Sequence, residues 1–118
     1  MRRDFLKTLA AMAAAGLVPS AWAQAAAANI KMMIPANPGG GWDGTGRALG
    51  AALTDAGAAA TVNYENKGGA AGAIGLAQFA NASKGDPNAI MVMGAVMLGG
   101  IITSKPAVNL SQVTPIAR

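Results

Sequence analysis

The sequence predicts an α/β fold: a parallel sheet with flanking helices. Two observations carry that reading. Short apolar runs alternate with helix-length segments, and each run ends in a loop containing glycine. Apolar strands alternating with helices imply a parallel sheet covered on both faces. The pattern occurs twice and begins a third time after a distinct leader.

The leader comes first. Residues 1–7 are short and basic, with Arg2, Arg3 and Lys7 against Asp4. Residues 8–18 are uncharged and rich in Ala and Leu. Pro19 and Ser20 break the run, and Ala21-Trp22-Ala23 places small residues where a signal peptidase reads them. This order predicts a signal peptide over 1–23, cleaved after Ala23. The apolar run is too short for a bilayer, which needs ~20 residues. Arg2-Arg3-Asp4-Phe5-Leu6-Lys7 resembles a twin-arginine signal. Paired basic residues also open general-pathway signals by chance, so both routes stay open.

Residues 30–35 then read as a strand, and 36–43 as its loop. A helix is expected from Gly44 to about Ala56, with Asp43 as N-cap and Gly57 as stop. Ala48, Leu49, Ala52, Leu53 and Ala56 would form its buried face. The second round is strand 60–66, loop 67–72 and helix 73–82, with Ile74, Ala77 and Gln78 on one side. Residues 84–88 carry strong turn chemistry. The third strand is 89–93, followed by Gly94, and Met91 and Met93 are expected to be buried. The uncharged stretch 89–102 has 14 residues and falls short of a membrane span.

Composition removes several function classes. The 118 residues include no His and no Cys, which excludes a thiolate metal site and the usual general base. The net charge is +4, and the first seven residues supply +2 of it. The remainder has no basic run and one Tyr, so nucleic acid is not an expected partner. The mature carboxylates are Asp43, Asp55, Glu65 and Asp86, and none has a nucleophile beside it. No catalytic residue, metal or cofactor is expected, and the chain is not read as an enzyme.

Loops at the C-terminal ends of parallel strands are where such sheets bind ligands. Unpaired N–H groups at a helix start favour anions, and glycine lets the backbone approach them. Two such loops would make an anion cradle built mainly of backbone. A rival exists: Gly39-x-Gly41-x-x-Gly44 fits a dinucleotide fingerprint, with Glu65 21 residues beyond Gly44. Pro35 and Pro38 make the loop stiffer than that fingerprint requires, and an exported chain is not expected to meet nicotinamide cofactors. Glu65 can instead pair with Lys67.

The loops Pro38-Gly39-Gly40-Gly41-Trp42-Asp43 and Glu65-Asn66-Lys67-Gly68-Gly69-Ala70-Ala71-Gly72, with Gly94, resemble the substrate-binding proteins of tripartite tricarboxylate transporters, the Bug-type periplasmic receptors. The likeness runs from Ile30 to Arg118. Trp42 looks like the tricarboxylate-binding branch. The resemblance implies a two-lobed, type II-like binding protein that takes citrate-like di- or tricarboxylates and passes them to a two-component membrane permease. It implies ligand contacts at Gly40, Gly41 and Asp43, at Gly69, Ala70, Ala71 and Gly72, and at Gly94 and Ala95. Trp42 either lines that pocket or packs beneath the loop. Residues 24–118 then read as a partial N-terminal lobe, with the second lobe absent and weak binding expected from this part alone. A periplasmic location without membrane insertion follows from the same reading. A carboxylate receptor used for signalling fits equally well.

Overall fold

The computed structural model describes residues 27–118, so the predicted signal peptide and its cleavage site lie outside them. The sheet has three parallel strands: β1 (Ala28–Ile34), β2 (Ala59–Asn66) and β3 (Ala89–Met91), in the order β2-β1-β3. Helix α1 (Gly41–Asp55) joins β1 to β2, α2 (Ala73–Ala82) joins β2 to β3, and α3 (Ala95–Ser104) follows β3. A 3-10 turn, Ala70–Gly72, precedes α2, and another, Leu110–Gln112, lies near the C-terminus. The fold is α/β with a parallel sheet and flanking helices, as the alternation of runs predicts. Among the described residues no helix is long and apolar enough to cross a membrane.

β1 is central, and its sequence explains why. Met32, Met33, Ile34 and Pro35 are consecutive and all buried, so both faces of the strand are covered. α1 covers the face of Met32, Ile34 and Tyr64. α2 packs near Pro35, where a Cβ on Gly75 would sit 2.8 Å from the Pro35 Cβ.

The buried face of α1 differs from the expected one. Asp43, Gly46 and Gly50 are buried, whereas Ala48 and Ala52 are exposed and Leu49 is 42% exposed. A Cβ on Gly46 would lie 2.7 Å from Ile34 Cδ1, and one on Gly50 would overlap the Tyr64 hydroxyl. The helix lies so close to the sheet that large sheet side chains fill the space opposite its glycines. The helix also starts three residues before the expected position. Gly40 is the N-cap, and Asp43 occupies the third helical position. The stop is as expected. Gly57 takes φ 72°, its N–H donates to the Thr54 carbonyl, and the Ala58 N–H donates to Leu53, which forms a Schellman ending.

In α2 the buried residues are Ala73, Gly75 and Leu76, and Ile74 is 48% exposed. β3 is shorter than expected and lies at the sheet edge. Met91 is half-buried and Met93 is 38% exposed, because an edge strand has neighbours on one side only. Among the described residues the buried methionines are Met32, Met33 and Met97. In the turn before β3, Asp86 accepts from the Asn88 N–H at 2.9 Å and pairs with Lys31 at 2.9 Å.

Candidate functional site

All three strands run the same way, so their outgoing loops gather at one edge of the sheet. The helices that follow start at that edge from Gly40, Gly72 and Gly94, none of which has a side-chain cap. The first N–H groups of each helix therefore have no side-chain acceptor, and the dipoles of three helices leave this edge positive. Strand order reverses at β1: the chain passes to β2 on one side and to β3 on the other. The loops after β1 and β3 therefore diverge and open a crevice between them. An open pocket of about 260 Å³ lies there, lined by Ala36, Gly41 and Trp42 after β1 and by Val96 after β3.

Trp42 ties the loops together. A Cβ on Gly94 would lie 2.7 Å from its Nε1, and one on Gly72 would lie 3.0 Å from its Cζ3. The Gly72 position also abuts the Met97 Cε. The indole is wedged between the second and third loops with buried Met97 beside it, and it also lines the pocket.

Asp43 is turned inward. It is 5% exposed. Its Oδ2 accepts from the Gly39 N–H at 2.9 Å and from Arg47 Nε at 3.0 Å. Its Oδ1 accepts from Asn66 Nδ2 at 2.9 Å and from Arg47 Nε at 3.1 Å. The Gly39 N–H, then Arg47, then Asn66 hold its pKa down, from 3.8 to about 2. The Arg47 guanidinium lies 5.0 Å from the Tyr64 ring centroid. Asp43 and its one cationic partner thus neutralise each other beneath the loop. Glu65 accepts from the Gln78 amide rather than from Lys67.

The second loop is strained. Gly69, Ala70, Ala71 and Gly72 all have positive φ, of 118°, 49°, 53° and 92°. Two alanines in the left-handed region are uncommon, and each costs about 1–2 kcal/mol. A Cβ on Gly100 of α3 would meet the Ala71 side chain, so α3 packs on this turn.

Of the residues expected in the site, Gly41 and Trp42 line the pocket. Gly40 caps α1 and Gly94 caps α3, directly before Ala95. Gly72 supports Trp42 from below. Gly69, Ala70 and Ala71 lie at the same sheet edge but do not line the pocket, and neither does Asp43. Ala36 and Val96 do line it, and the sequence reading passed over both. Small apolar residues carry no chemical signal; only their position, one residue after Pro35 and two after Gly94, marks them.

Residues 2–19 match the signal sequence of the twin-arginine translocation (TAT) pathway. The leader is a twin-arginine export signal. The match supports export, and of the two routes left open by Arg2-Arg3 it favours the twin-arginine one. The twin-arginine match covers the leader alone. No curated protein and no solved structure matches the chain.

Proposed function

We propose that this exported chain is the substrate-binding component of a tripartite tricarboxylate transporter. It acts in the periplasm after cleavage following Ala23, takes small di- or tricarboxylates, and hands them to a two-component permease. The observation that carries the proposal is the pocket at the β1/β3 divergence, at the edge where three glycine-capped helix starts gather. Backbone N–H groups there suit a carboxylate without a basic side chain in the wall. A second lobe closing over the pocket would supply the remaining contacts.

Trp42 reports on the site directly, because it is the sole Trp of residues 24–118. Citrate, added to the mature protein, is expected to change its emission and raise the melting temperature. A flat response to citrate and to related di- and tricarboxylates sinks the proposal. The dinucleotide reading uses the same first loop but needs the Glu65 carboxylate for a ribose, and Gln78 already holds it. Titration with NAD separates the two readings.

A further inference from the structure

We propose that Asn66 and Asp43 form a latch that fixes the first glycine loop in its ligand-ready shape, and that neither side chain touches the ligand. The inference rests on the receptor reading above for what the loop binds. The loop 36–41 combines Pro38 with three consecutive glycines. Gly39 sits at φ 88°, and no side chain of the glycine run can anchor it. Such a segment loses more backbone entropy on ordering than any other. A pocket with Ala36 and Gly41 of this loop in its wall needs that loss met before the ligand arrives.

The register of the sheet supplies the means. Ile34 at the end of β1 pairs with Asn66 at the end of β2, so Asn66 stands beside the point where the loop departs. Both hydrogens of its Nδ2 are used: one goes to the Ala36 carbonyl at 3.0 Å, the other to Asp43 Oδ1 at 2.9 Å. One amide thus ties the start of the loop to the first turn of α1. Asp43 then reaches back to the Gly39 N–H and closes the ring from inside. Three donor groups occupy the Asp43 carboxylate, with the single Arg47 Nε–H shared between its two oxygens, and hold it turned toward the loop and Arg47. Its negative charge is paired with Arg47 and lies outside the pocket lining.

The experiment compares Asn66→Ala, Asn66→Asp and the double variant Asp43→Asn/Asn66→Asp with the wild-type mature protein. Amide hydrogen exchange at Gly39 and Gly40, whose N–H groups donate to Asp43 and to the Asn37 carbonyl, is read by NMR, and citrate affinity by Trp42 fluorescence. Asn66→Ala is expected to speed exchange at these amides about tenfold while core amides of β1 keep wild-type rates. Asn66→Asp faces two carboxylates across the latch and is expected to do worse. The double variant remakes the bond between positions 66 and 43 with donor and acceptor exchanged, but an aspartate at position 66 has no hydrogen for the Ala36 carbonyl, so part of the loss is expected to be recovered, in exchange and in citrate affinity together. A residue that only supports the fold would move core exchange as well and would show no such rescue. Unchanged loop exchange in Asn66→Ala overturns the latch, and so does a double variant no better than Asn66→Asp. A wild-type protein that ignores every carboxylate counts against the receptor reading alone, and the exchange data still judge the latch.

Discussion

The Trp42 indole lies against the backbone of Gly94, so close that a single methyl group there would sit 2.7 Å from Nε1. Gly94 has extended backbone, with φ −158°, which any residue adopts. The absence of a side chain at this position is therefore a matter of space. Gly94→Ala is expected to push the ring out of its slot, shift Trp42 emission to longer wavelength and weaken citrate binding. Fluorescence of the mature protein, with and without citrate, checks both effects. Unchanged emission would mean that the indole has room to spare.

Two helical glycines are expected to respond to alanine with opposite signs. Gly75 faces rigid backbone: an added Cβ would lie 2.9 Å from the Lys67 carbonyl oxygen and 3.1 Å from the Pro35 Cα. Overpacking costs about 1–3 kcal/mol, more than the ~1 kcal/mol of helix propensity that alanine contributes. Gly99 has nothing within 4 Å of an added Cβ, so only the propensity gain remains. Gly75→Ala should lower the melting temperature and Gly99→Ala should raise it by about 4 °C or more, as thermal unfolding followed by circular dichroism will show.

Acid stability should depend on Asp43. Its folded-state pKa is depressed, to about 2 from 3.8. A depressed carboxyl contributes stability that is fully present above the unfolded value and is lost as pH falls through the folded one. Stability is therefore expected to hold down to about pH 4 and to decline toward pH 2. Asp86, also lowered by the Asn88 N–H and by Lys31, acts in the same sense. Urea titrations across pH 2–6 should show a shallower acid limb in Asp43→Asn, with the Asp86 part retained.

Positive φ at alanine offers a route to a more stable protein. Ala71 has φ 53° and ψ 30°. Glycine there removes a strain of about 1–2 kcal/mol and costs about 0.4–1 kcal/mol through the freer unfolded chain. Ala71→Gly is expected to be neutral to stabilising by about 1 kcal/mol, and Ala71→Val, β-branched in the same conformation, destabilising by more than that. Denaturant midpoints measure both.

The order of elements was readable along the chain because each depends on local chemistry. Apolar runs mark the strands, glycine and proline mark the loops, and Gly57 marks the end of α1 through its left-handed backbone. The twin-arginine leader is legible for the same reason, since translocation machinery reads it as linear sequence. The faces of the helices were not legible. Periodicity points to the apolar Ala48, Leu49 and Ala52, but the sheet packs against Gly46 and Gly50 because Ile34 and Tyr64 already fill the gap. Strand order was not legible either, and it alone decides that the loops after β1 and β3 diverge and that Val96 joins Trp42 across the crevice. Asp43 shows the division within one residue. The sequence placed it at the start of a helix, where carboxylates favour the local dipole. Only the tertiary structure, by bringing Asn66 beside it from 23 positions away, buried its carboxylate among hydrogen-bond donors under the loop.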